Sequence, residues 1–170
     1  MAANVKQVYR ITINAPIRKV WDALTRTGEP LPFFFGSVMH TTTLGPGAPI
    51  RMRTPDGKFT GVVGEVLEFD PPHRFVHSHR FTQYDDPVCQ VAYELKPVAG
   101  GVEVTLRVIG MPAGTPTAKA MQQGGDAILK SLKAIAETGA PPMGTRLMYA
   151  AFALLEFVLP KRTRSEHWPL

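Results

Sequence analysis

A strand-like alternation at Ile11-Thr12-Ile13 stops at Pro16 and turns at once into the helical run Val20-Trp21-Asp22-Ala23-Leu24. Pro16 suits this junction because a proline in the first turn of a helix breaks no intrahelical hydrogen bond. Upstream, Tyr9, Ile11 and Ile13 share one strand face and Val8, Arg10 and Thr12 the other. A first strand over 5–14 feeding a helix over 16–25 makes the fold start with a sheet edge and a short covering helix. The sequence order after it decides what they cover.

That order is strand-rich. Candidate strands lie at Val38–Leu44, Ile50–Arg53, Phe59–Phe69, Arg74–Thr82, Val88–Leu95 and Gly101–Ile109. Turn signals separate them: Gly45-Pro46-Gly47, Pro55-Asp56-Gly57, Asp70-Pro71-Pro72 and Gly100-Gly101. The long strand from Phe59 has Gly61 and Gly64 as candidate kinks. From Thr115-Pro116 the period changes to 3.6, with Met121, Ile128, Leu132 and Ile135 on one stripe and Leu129 and Ala136 beside it. Gly139 and Pro141-Pro142 end that helix. The expected order is one strand, two short helical pieces, six strands and a long helix. Strands followed by a helix predict an α+β fold, a curved antiparallel sheet with the long helix packed on it.

Composition narrows the function classes. The 170 residues suit one domain of ordinary globular makeup, 44% hydrophobic and 19% charged. The net charge of +5 is scattered, without aromatic residues interleaved among the basic ones, so nucleic acid is not an expected partner. Cys89 is the single cysteine, which excludes an internal disulfide and suits a small buried hydrophobe. The N-terminus has no apolar signal core, and a cytoplasmic location is the default expectation. No nucleophile elbow, phosphate loop or dinucleotide fingerprint is present, so no cofactor is expected.

Four segments resemble the START-like superfamily, and within it the branch named for the activator of the heat-shock-ninety ATPase. They are Asn14-Ala-Pro-Ile-Arg-Lys-Val-Trp-Asp-Ala-Leu-Thr25, Gly64-Glu-Val-Leu-Glu-Phe-Asp-Pro-Pro-His-Arg-Phe-Val76, Val91-Ala-Tyr-Glu-Leu-Lys-Pro97 and Gly124 to Gly139. Together they extend over about residues 5–140. The resemblance implies a helix-grip fold, with a cavity between the sheet and the long helix, over residues 1–142. Residues 143–170 then form a C-terminal extension. Two departures stand out. The family's Trp-Phe-Gly is Phe34-Phe35-Gly36 here, and its Gly-Trp in the long helix is Gly124-Gly125. The second change either enlarges the cavity or requires another side chain to fill it.

Catalytic residues are not evident, but one polar element stands out. Period-two geometry puts Phe75, His77, His79 and Phe81 on one strand face, which the phenylalanines mark as inward. Two histidines there suit a polar ligand group, a proton shuttle, or the bland role of buried histidines bonded to neighbours. A metal site needs a third ligand, and neither His40 nor Glu65 has a compact spacing to them. The expected function is binding of a small apolar or amphipathic molecule. Phe33, Phe35, Met52, Phe59, Tyr93, Met121, Gly125 and Leu129 line the cavity in that reading, with Glu65, His77 and His79 as polar members. The alternatives are an interaction module assisting a chaperone ATPase and a cyclase- or hydrolase-like cavity enzyme with the histidine pair as acid and base.

The extension poses its own problem. From Leu147 to Leu159 only Glu156 is charged, a run too short to span a bilayer. A helix that is apolar nearly all round must be covered. This domain, a second copy in a homodimer, or a membrane surface approached by Lys161, Arg162 and Arg164 are the candidate hosts.

Overall fold

The computed structural model describes residues 4–170, and it builds one seven-stranded sheet around a long helix. The strands are β1 (Asn4–Ile13), β2 (Val38–Thr41), β3 (Pro49–Arg53), β4 (Thr60–Asp70), β5 (Arg74–Phe81), β6 (Cys89–Val98) and β7 (Gly101–Pro112). Their spatial order is β1-β7-β6-β5-β4-β3-β2, with every neighbouring pair antiparallel. Only β1 therefore pairs out of sequence, closing against β7. The helices are α1 (Ile17–Thr25), α2 (Pro116–Thr138) and α3 (Met143–Leu154). The architecture is the expected α+β helix-grip fold.

Local chemistry explains the boundaries. At the start of α2, Pro116 follows the N-cap Thr115, whose Oγ1 accepts the Ala118 N–H at 3.1 Å. Asp86, in the β5–β6 loop, accepts the Thr117 N–H at 2.8 Å and ties that loop to the positive end of the helix. Gly139 ends α2 in the left-handed region (φ 86°) and returns its N–H to Ile135 O at 2.9 Å. Gly64 is fixed by a close approach: a Cβ there would collide with the Ser78 carbonyl on β5. Opposite Gly61 the β3–β4 register shifts between Met52 and Arg53, so of the two expected glycine positions Gly61 marks irregular pairing and Gly64 a close approach of strands.

The core lies between the sheet's inner face and α1 and α2. Ile13, Val66, Val102, Val104, Leu106 and Val108 supply the sheet side, and Val20, Leu24, Ile128, Leu129 and Leu132 the helical side. Trp21 is buried from α1 and its ring meets Phe69 at 5.4 Å. The Ile11-to-Leu24 junction thus does what its pattern implies, closing one end of the core.

Three expectations need correction. A single short helix follows β1; the second helical piece is replaced by a loop at Leu31–Ser37. There Phe34 and Gly36 both donate to Leu31 O, at 3.0 and 3.1 Å, and Phe35 (φ 54°) and Gly36 (φ 69°) turn left-handed, which no α-helix continues. β2 stops at Thr41, short of Leu44. The apolar run expected as a helix over 147–159 begins earlier, as α3 at Met143, and breaks after Leu154 into 3-10 turns at Glu156–Val158, Lys161–Thr163 and Ser165–His167.

After α3 the chain straps itself back to the sheet. Ser165 donates its N–H to Lys58 O at 2.9 Å, and Arg164 bridges Phe59. Arg53 and Arg51 donate to the carbonyls of Trp168 and Pro169, both at 3.0 Å. The Arg162 guanidinium holds the Asp85 carboxylate with two hydrogen bonds, and Arg80 stacks over the Trp168 ring at 5.9 Å. No helix among the described residues is long and apolar enough to cross a membrane.

Candidate functional site

Two spaces open along the inner face, separated by Phe34 and Met52, which line both. The inner one lies between β3, β5, β6, β7 and α2. Its volume is about 40 Å³, room for a very few waters and far below the roughly 300–1,000 Å³ of a typical ligand site. The outer one, about 640 Å³, lies under α3 and is walled by Phe34, Phe35, Phe59, Val62, Phe81, Tyr149 and Phe152. The helix-grip cavity proper is therefore nearly filled, and the large space sits at its mouth.

The sequence-selected residues divide between them. Phe33, Met52, His77, His79, Tyr93, Met121 and Gly125 line the inner cavity. Phe35 and Phe59, with Met52 again, line the outer chamber. Two residues belong to neither. Glu65 is exposed, because β4 turns Val62 and Val66 inward and leaves Glu65 on the opposite face, where its N–H donates to Ser78 Oγ at 2.8 Å. Leu129 is buried within the core packing of α2 and lines neither space.

Gly125 resolves the missing tryptophan. A Cβ at Gly125 would lie 2.6 Å from Cδ2 and Cζ of Tyr9, so the Tyr9 ring already sits flat against the helix backbone. Its hydroxyl faces Gln7 Oε1 at 3.1 Å and the Met121 carbonyl at 3.2 Å as acceptors. A tyrosine from β1 thus fills the place, and the glycine is needed for it to do so. The Gly-Gly pair does not enlarge the cavity.

The inner cavity's polar groups are all uncharged. His77 Nδ1 lies 2.8 Å from the Ser78 carbonyl, which can only accept, so that nitrogen carries the proton and Nε2 is the free acceptor. His79 is 2% exposed and its Nε2 has no hydrogen-bond partner. Burial, and secondarily the neighbouring His77, holds its pKa down to about 3, so the ring is neutral at pH 7. Burial likewise lowers His77 and raises Tyr93, and pushes the Cys89 thiol up to about 11. Cys89 is therefore an inert thiol whose Sγ contacts the His79 carbonyl at 3.5 Å. An aromatic ladder runs along β5 from the inner to the outer space. Phe75, His77, His79, Phe81 and Tyr84 follow one another at centroid separations of 5.3, 5.8, 4.8 and 6.0 Å. Among the described residues no three His, Cys, Asp or Glu side chains come together to hold a metal.

The residues that sequence reasoning missed are those of the mouth: Phe34, Tyr149 and Phe152, together with Phe81, which period-two geometry puts on the inward face of β5 without assigning it to the site. Phe35 meets Tyr149 at 5.7 Å and Phe152 at 6.2 Å, which seats α3 over the chamber. The Tyr149 hydroxyl faces the Phe35 backbone and the Ser131 side chain of α2. Spacing along α3 gives Tyr149 and Phe152 a shared side, but no pattern in sequence says which element that side meets.

Comparison with known proteins agrees with this architecture. Residues 14–137 match the family described as Activator of Hsp90 ATPase homolog 1-like protein. The Aha1 dimer from Colwellia psychrerythraea, a solution structure, superposes with a TM-score of 0.63 at 20% identity, covering 79% of this chain and 98% of that one. CalU16 from Micromonospora echinospora has a TM-score of 0.61 at 17% identity over 91% and 96% of the two chains. A Rhodobacter sphaeroides protein has a TM-score of 0.59 at 26% identity over 76% and 90%. No curated protein matches significantly.

Proposed function

The chain belongs to the family described as Activator of Hsp90 ATPase homolog 1-like protein, and from that premise we propose that it binds a small apolar or amphipathic molecule at the mouth of the helix-grip cavity. The observation that carries this reading is the 640 Å³ chamber under α3, walled by aromatic side chains from the Leu31–Ser37 loop, β5 and α3. That volume falls inside the range of ligand sites, and the lining is apolar with a few polar groups, Thr54, Thr82 and Gln83 among them. Burial of the ligand's apolar surface supplies the affinity, at about 25 cal/mol per Å² before the costs of association. In this reading residues 1–142 are the binding domain and residues 143–170 its cover.

The test is native mass spectrometry of the gently purified full chain, alone and after exposure to a panel of lipids and aromatic metabolites. A reproducible small-molecule adduct is expected. It is lost in Ala153→Trp, which places an indole in the chamber from α3. A wild-type chain that carries nothing and takes up no panel member overturns the proposal.

The family description also supports a second reading, an interaction module acting on a chaperone ATPase. Met143, Leu147 and Leu154 favour it, since they point away from the chamber and remain exposed. The same face serves a homodimer equally, and the Colwellia relative is described as a dimer. Sedimentation of the wild type and Leu147→Glu/Leu154→Glu separates these: a dimer lost in the variant supports self-association, and a monomer in both directs attention to a chaperone.

A further inference from the structure

The inner cavity presents an unusual pairing: too small for a ligand, yet containing a buried polar atom with no partner. His79 Nε2 is enclosed and unbonded, and leaving such a group unsatisfied costs about 1–3 kcal/mol. His77 is not equivalent, because its Nδ1–H is already given to Ser78 O, its side chain is only partly buried, and it has no enclosed atom left without a partner. The cavity lies directly beside the outer chamber. Met52, Val62 and Phe81 face one another across β3, β4 and β5 and all line that chamber. His79 is the next inward-facing residue along β5, about 7 Å from Phe81 along the strand, and its ring meets Phe81 edge-on at 4.8 Å. Met52, one of the two side chains between the spaces, is unbranched and adjusts its shape readily.

We infer that the two spaces form one bipartite site for a neutral aromatic molecule bearing a hydroxyl group, its ring in the outer chamber and its hydroxyl on the His79 imidazole. This rests on the ligand-binding reading above and names the ligand class. A neutral imidazole offers one donor and one acceptor, and a hydroxyl can serve either. A carboxylate does not fit, because no Lys or Arg lines either space and Glu156 adds a negative group to the outer wall. A buried anion with no counter-charge is heavily penalised. The 40 Å³ of the inner cavity suits a hydroxyl and an accompanying water, not a ring.

Three matched probes test this at pH 7 by calorimetry on the full chain: 2-naphthol, naphthalene and 2-naphthoate. Wild type is expected to bind 2-naphthol about fivefold or more tighter than naphthalene, the worth of one neutral hydrogen bond, and to bind naphthoate weakest. His79→Phe, which continues the aromatic ladder, is expected to bind naphthol and naphthalene equally. If that variant does not fold, ¹⁵N NMR of the wild-type histidines decides, with naphthol and not naphthalene shifting the His79 ring resonances. Equal binding of naphthol and naphthalene by wild type, naphthoate binding as tight as naphthol, or unmoved His79 resonances overturn the inference while leaving the ligand-binding proposal standing. Failure of all three probes to bind counts against both.

Discussion

Gly124 and Gly125 are adjacent in one helix, yet alanine should have opposite effects at the two positions. At Gly124 an added Cβ meets nothing within 4 Å. Replacing a mid-helix glycine there recovers the helix-propensity difference, about 1 kcal/mol, and raises Tm by about 2–4 °C for a chain of this size. At Gly125 the same gain is opposed by the Tyr9 ring, with two of its carbons 2.6 Å from the new methyl. Ordinary carbon contacts lie near 3.5–4.0 Å, so the ring must retreat by about 1 Å. Overpacking of that kind costs about 1–3 kcal/mol. The retreat also weakens the Tyr9 hydroxyl's hydrogen bonding at Gln7 and Met121, worth about 1 kcal/mol. Gly125→Ala is therefore expected to lose about 1–3 kcal/mol net, measured by urea denaturation with unchanged m-value. In a Tyr9→Ala background the penalty should vanish, because the methyl then has room, giving a coupling of similar size in the double-mutant cycle. If Gly125→Ala stabilises as Gly124→Ala does, the account of Tyr9 as the side chain filling this place is wrong.

Acid stability offers a second check. The folded chain holds His79 neutral down to about 3, against an ordinary value of 6.5. Between those values the unfolded chain binds a proton that the folded chain refuses. Stability is therefore full above about pH 6.5 and falls as pH drops below it, by up to about 1.4 kcal/mol per pH unit. His77, also lowered by burial, adds to the same limb. His79→Phe should flatten the slope between about pH 5 and 6.5, above the range where carboxylates titrate; identical slopes in urea melts at both pH values would refute the neutral buried imidazole. Thr115→Ala removes the oxygen that caps the Ala118 N–H and should cost about 1 kcal/mol in the same assay. Tyr149→Ala removes one of the two aromatic contacts that seat α3 on Phe35, so amide exchange over 143–154 should speed up while β5 and β6 exchange as before. Glu65→Ala, at an exposed position, should change stability by no more than about 0.5 kcal/mol and leave ligand uptake in native mass spectrometry unchanged.

Most of the fold was legible because its signals are local. Pro16 after Ile11-Thr12-Ile13, the turn residues between strands, Thr115-Pro116 and Gly139 each act on their own few residues, and the period of apolar residues says which face each element buries. Glu65 shows where locality fails. Val63 and Leu67 share its parity while Val62 and Val66 claim the other face, so the sequence alone leaves both faces of β4 apolar. The pairing of β4 with β3 and β5 decides in favour of Val62 and Val66. Gly125 shows the same limit differently, since the ring that needs the glycine comes from Tyr9, more than a hundred positions away in the chain.

The residues of the chain by themselves determined the order of the strands with α1 and α2, the inward face of β5 with its two histidines, and an apolar C-terminal segment that needed a host. Periodicity is a property of neighbours in sequence and requires no knowledge of what they meet. Only the tertiary structure decided the volume of the cavity, its division by Phe34 and Met52, and the seating of α3 over Phe35. Empty space is what remains after side chains from β1, β3, β5 and α2 have packed against one another. Its size depends on distances between residues far apart in the chain, and no window of sequence contains them.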